Sequence, residues 1–108
     1  LRILLDHCVR RRLLKSFVPH PTSHTADIGW AQLRNGELLR QANAQYDILV
    51  TVDKNMRFQS NLSGMKLRVA VLDVRGNDLQ ELLRAAEKLL PILDTCPEGA
   101  FTVITLET

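Results

Sequence analysis

Three short apolar runs in this chain each stop at an aspartate. LRILL, residues 1–5, is followed by Asp6; Ile48, Leu49 and Val50 continue through Thr51 and Val52 to Asp53; KLRVAVL, residues 66–72, ends on Asp73. Brief runs of this kind, rich in β-branched residues and bounded by polar ones, predict strands buried on both faces, as in a parallel sheet. Two further segments read as strands: Thr22 to Ala26, after the break at Pro19 and Pro21, and AFTVITL, residues 100–106.

Between these runs the apolar spacing turns helical. Val9, Leu13, Leu14 and Phe17 predict a helix over Cys8 to Val18 with Arg10, Arg11, Arg12 and Lys15 on its other side, and Asp6 or His7 could cap it. Asn35 offers an N-cap for a helix from Gly36 to Gln45, in which Leu38, Leu39, Ala42 and Tyr46 share one face. Asn77 or Asp78 caps a last helix, where Leu79, Leu82, Leu83, Ala86, Leu89 and Leu90 keep the period up to Pro91. Gln80 or Glu81 would complete a capping box there. After Asp53, KNMRFQSNLSG reads as one helical turn and a loop, and Trp30 as a core or loop anchor.

Strands alternating with helices predict an α/β fold with a mostly parallel central sheet flanked by helices. Right-handed crossovers then put Asp6, Asp53 and Asp73 along the carboxyl edge of that sheet, where open α/β sheets bind their ligands. Strand order decides whether the acids converge, and whether Asp73 or Asp78 reaches the same place is open at this level.

Composition narrows the classes. The 108 residues predict a single domain, residues 1–108, and 45% hydrophobic with 24% charged side chains is the make-up of a soluble globular protein. No run approaches the roughly 18 apolar residues of a membrane span, and LRILLD is too short and too quickly charged for a signal peptide. Cys8 and Cys96 form no CxxC pair, which leaves neither a disulfide framework nor a zinc-ribbon spacing and suits a reducing cytoplasm. His20 and His24 would lie about 13 Å apart in an extended segment, too far to clamp one metal. Together with His7 they read as partly exposed polar surface.

The net charge of +2 neither demands nor forbids a nucleic-acid partner, so placement matters more. Arg10, Arg11 and Arg12 follow Asp6, and Lys54 and Arg57 follow Asp53. Carboxylates brought close together repel one another, and a divalent cation relieves the repulsion; Mg²⁺ and Mn²⁺ prefer such oxygen ligands. Adjacent cations would hold a phosphodiester backbone against that site, although charge runs are commonly no more than solvated helix faces. Glu37, in the first turn of its helix, is also placed as the helix dipole favours. No Walker motif, GxGxxG or GxSxG occurs, which argues against nucleotide-binding and serine-hydrolase classes.

LRILLDHCVRRRL, GWAQLRNGELLRQA and YDILVTVDKNMRFQ, in this order and spacing, resemble a family of short bacterial PIN-like domains, which include domains of unknown function and predicted nucleases related to VapC-type toxins. The resemblance covers essentially the whole chain and implies a PIN-like three-layer fold and a metal-dependent ribonuclease. It implies Asp6 and Asp53 as ligands of Mg²⁺ or Mn²⁺, an RNA substrate, and an antitoxin protein or a homodimer as partners; from their placement beside the two acids, Arg10, Arg11, Arg12, Lys54 and Arg57 are the residues expected to hold the RNA backbone. Two positions depart from the family pattern: Asn35 stands where many relatives open the middle helix with an acid, and Asn55 where many carry a second acid after Asp53. An Asn carbonyl is a neutral ligand and weakens a Mg²⁺ site; Glu37, two residues beyond Asn35, is the candidate to restore the charge. The alternative expectation is a catalytically weakened PIN-like domain that acts as a protein- or RNA-binding module.

Overall fold

Residues 1–106 are described by a computed structural model. Its strands are β1 (Ile3–Leu5), β2 (Thr22–His24), β3 (Ile48–Thr51), β4 (Arg68–Asp73) and β5 (Phe101–Thr105), and its α-helices are α1 (Asn35–Gln45), α2 (Met56–Gln59) and α3 (Leu79–Leu89). All strand pairs are parallel, in the order β2-β1-β3-β4-β5. The expected α/β class therefore holds, with a sheet parallel throughout. β1, β3 and β4 lie side by side, so the strand ends bearing Asp6, Asp53 and Asp73 are neighbours.

Two apolar layers cover the sheet. Ile3, Leu5, Ile48, Val50, Ala70 and Leu72 point to one face, where Val9, Leu13 and Phe17 join Leu82, Ala85, Ala86 and Leu89 of α3. Leu4, Leu49, Val69 and Val71 point to the other face and pack with Leu38, Leu39 and Ala42 of α1 and with Met56. This is the alternation of a pleated strand buried on both sides. Trp30 anchors on the second layer, edge-on to Tyr46 with ring centroids 6.0 Å apart. No helix among the described residues is long and apolar enough to cross a membrane.

Several elements differ from their expected form. The helix expected over Cys8 to Val18 contracts to a 3₁₀ turn at Arg11–Lys15. Val9 N–H donates to Asp6 O, and Arg10 stays extended at ψ 137°, so the chain enters the turn too late for a full helix and closes i→i+3 bonds instead. Val9, Leu13 and Phe17 nevertheless all reach the core. β2 ends at His24 because Thr25–Asp27 forms a second 3₁₀ turn, with His24 Nδ1 accepting the Ala26 amide. Asn35 is the first residue of α1 and not its cap.

Asp78 does cap α3, its Oδ1 accepting from Gln80 N at 2.9 Å. Glu81 turns away from the expected capping box: its Oε1 accepts the Arg75 amide at 2.9 Å. The helix gives way to a 3₁₀ segment at Leu90–Thr95, as Pro91 requires. The surface role expected of the three histidines fails for His24, which is 3% exposed. Because its Nδ1 accepts from Ala26, its proton sits on Nε2, which donates to Val9 O at 2.7 Å. His24 thus ties the start of the β1–β2 crossover to its end.

Candidate functional site

β1 and β3 place Asp6 and Asp53 on the carboxyl edge. Leu5 pairs with Val50, and the Asp6 amide donates to Val50 O at 2.9 Å, so Asp6 continues the ladder by one residue. Its side chain is 3% exposed. A buried carboxylate is tolerated only where hydrogen bonds replace its water, and here they do. Oδ1 accepts the His7 amide at 2.8 Å, with His7 Nδ1 at 3.1 Å. Oδ2 accepts the Thr51 hydroxyl at 2.8 Å, with Cys8 Sγ at 3.5 Å. These groups take up the roughly four lone-pair positions of an ionised carboxylate.

Thr51 connects the two acids. Its hydroxyl donates to Asp6 and accepts the Asp53 amide at 3.1 Å. Asp53 is half-buried, and its Oδ1 accepts the Asn55 amide at 3.0 Å in an Asx-type turn that opens α2. Cys8 lies against the same pair, 3.5 Å from Thr51 Oγ1. Burial, and after it the charge of Asp6, push the Cys8 thiol up from its ordinary value, so it is no activated nucleophile.

The other expected residues are placed as follows. Glu37 binds Arg40 at 2.7 Å and Gln41 at 3.1 Å on its own helix, and hydrogen bonds from these two hold its carboxyl below the usual range. Asn35 lines a depression of about 420 Å³ with Gln59, Ser60 and Asn61. Asn55 is exposed. Lys54 Nζ lies 3.0 Å from Asp73 Oδ1, which removes Asp73 from the set of free acids; Asp78 is engaged at the α3 cap.

Among the described residues, no three His, Cys, Asp or Glu side chains gather as metal ligands, so Asp6, Asp53 and Glu37 form no three-carboxylate cluster. With Asp6 saturated by internal donors and Asn at positions 35 and 55, the donor set fits a resident divalent cation poorly.

The cations are better organised. Arg10 Nη1 donates to Asn77 O at 3.2 Å, which bridges the segment after Asp6 to the loop after β4. Arg11 pairs with Asp27. Arg10, Arg11, Arg12, Leu14 and Lys15 line a depression of about 530 Å³. On the other flank the Arg57 guanidinium lies over the Phe58 ring, 4.5 Å from its centroid.

Three features of the edge escaped sequence reasoning. Thr51 sat inside an apolar run, and a buried hydroxyl beside a strand-end acid was the available signal, since buried polar groups are paired. Phe58 and His24 had none, because neither exposure nor a crossover contact shows in local spacing. No family model, curated protein or solved structure matches this chain.

Proposed function

We propose that this chain is a PIN-like domain that binds single-stranded RNA along the carboxyl edge of its sheet, with its catalytic charge weakened. The observation that carries the proposal is the basic depression lined by Arg10, Arg11, Arg12 and Lys15, which opens from the segment just after Asp6. Cations so grouped attract a phosphate backbone and release its counterions on binding. The engagement of Asp6 by internal donors supports a structural role for that acid over a ligand role.

A second reading, the metal-dependent ribonuclease, draws on one specific fact: Asp6 and Asp53 end adjacent strands and share the Thr51 hydroxyl. Mg²⁺ commonly takes only one or two protein carboxylates when substrate phosphates complete its shell.

One set of experiments tests both. Anisotropy of a labelled unstructured RNA is expected to rise on binding, to weaken as salt increases, and to weaken further in Arg12→Ala with Lys15→Ala. Binding that ignores both salt and these substitutions would sink the RNA proposal. Incubating the same RNA with Mg²⁺ or Mn²⁺ is expected to leave it intact. Cleavage by the wild type that is lost in Asp6→Asn with Asp53→Asn would instead establish the ribonuclease.

A further inference from the structure

The geometry points to Arg57 and Phe58 as a stacking platform for one unpaired nucleobase of single-stranded RNA, an inference that rests on the RNA-binding reading above. Four observations meet at this place. Phe58 is 73% exposed, while Met56, two residues earlier on the same short helix, is fully buried and anchors α2 on the second apolar layer. Phe58 is therefore not required to hold α2 down. Single exposed apolar side chains are ordinary, but this ring carries a guanidinium 4.5 Å from its centroid. That arrangement brings a cation and a π-face to one spot, the pairing with which single-strand binders hold a base and its phosphate.

Position is the third observation. The Phe58 amide donates to Asn55 O, and the Asn55 amide donates to Asp53 Oδ1, so the platform is one turn removed from the site acid. Gln59, Ser60 and Asn61, next in the chain, line the depression that Asn35 completes. Asn61 Oδ1 already accepts the Ser63 amide, which leaves its NH₂ group to donate. Arg40, Leu39 and Met65 share that lining, and its amides and hydroxyl, which begin one residue beyond the ring in the chain, offer donors and acceptors to the edge of a splayed base.

The test measures binding of labelled ten-nucleotide oligo(A) and oligo(U) RNA by anisotropy. It compares the wild type with Phe58→Ala, Phe58→Trp and Arg57→Gln, each confirmed to keep the wild-type unfolding midpoint. Phe58→Ala is expected to weaken oligo(A) binding at least fivefold, in line with the value of one base–aromatic stack. Phe58→Trp is expected to restore it, with its added indole emission quenched by the RNA. Arg57→Gln is expected to fall between these two. Wild-type binding that Phe58→Ala leaves unchanged would overturn the platform alone. Equal weakening in Phe58→Ala and Phe58→Trp would overturn it too, by showing that shape and not stacking matters. If wild type binds neither RNA, the RNA-binding function itself fails and the platform fails with it. If Phe58→Ala keeps full RNA affinity but abolishes a self-association of the wild type, Phe58 is a protein contact and the platform is overturned.

Discussion

Thr51 Oγ1 donates a 2.8 Å hydrogen bond to Asp6 Oδ2, joining the carboxyl ends of two adjacent strands through two buried side chains. The same oxygen accepts the Asp53 amide, so one hydroxyl fixes both acids of the edge. Thr51→Val keeps the shape and removes both bonds, leaving a buried carboxylate one donor short. Such an omission costs roughly 1–3 kcal/mol. Urea unfolding is expected to show that loss for Thr51→Val and little loss for Thr51→Ser. A Val variant as stable as wild type would mean that the hydroxyl does not hold Asp6.

Neutralising the two acids separates a structural carboxylate from a functional one. Asp6→Asn turns one acceptor oxygen into an NH₂ group that faces donors, so it is expected to lower stability by roughly 1–3 kcal/mol. Asp53→Asn changes a half-buried side chain with a single local acceptor role and is expected to stay within about 0.5 kcal/mol of wild type. Denaturant midpoints at constant slope read the difference. A gain of stability in Asp6→Asn would mark Asp6 as a charge kept for function at a cost to the fold, which favours the ribonuclease.

The sheet was legible because its signal is hydrophobic: runs ending at Asp6, Asp53 and Asp73 mapped onto β1, β3 and β4, and α3 kept its apolar period to Leu89. The segment after Asp6 was misread, since Val9, Leu13 and Phe17 bury themselves at helical spacing while the backbone makes only a 3₁₀ turn. Periodicity reports which side chains are buried, and a tightened turn can bury the same set. The candidate site was legible as an edge, not as a set of contacts. That Lys54 would bind Asp73, and Glu37 its own helix, depended on which partner each long side chain reaches, and strand order together with rotamers decides that.

Gly99 closes the turn into β5 at φ +67°, with its amide donating to Leu67 O at 2.9 Å. A Cβ built there would stand 2.7 Å from the backbone oxygen of Met65. Both the left-handed backbone and this contact oppose any side chain, and the obstacle is main chain, which cannot swing aside. Gly99→Ala is accordingly expected to destabilise by roughly 1–3 kcal/mol, measured as a lowered midpoint of thermal unfolding. Wild-type stability in this variant would show that the turn can relax away from Met65.

Cys8 reports on the charge of Asp6 without removing the acid. A thiol reacts with iodoacetamide as its thiolate, so its rate follows pH through its pKa. Burial disfavours the anion, the Asp6 carboxylate adds repulsion, and these outweigh the hydrogen bonding from the Val52 backbone that favours it. The sign is therefore upward: the rate of Cys8 alkylation is expected to climb through a midpoint above that of a free cysteine. The measurement is made in a Cys96→Ser background because Cys96 is the other free thiol. Adding Asp6→Asn removes the repulsion and is expected to lower the midpoint, while burial keeps it above the free value. A midpoint at or below that of free cysteine in the Asp6 protein would contradict the contact of Cys8 with a charged, buried Asp6. A midpoint clearly below that of free cysteine would mark an activated thiol, and the edge would need a nucleophilic reading in place of a binding one.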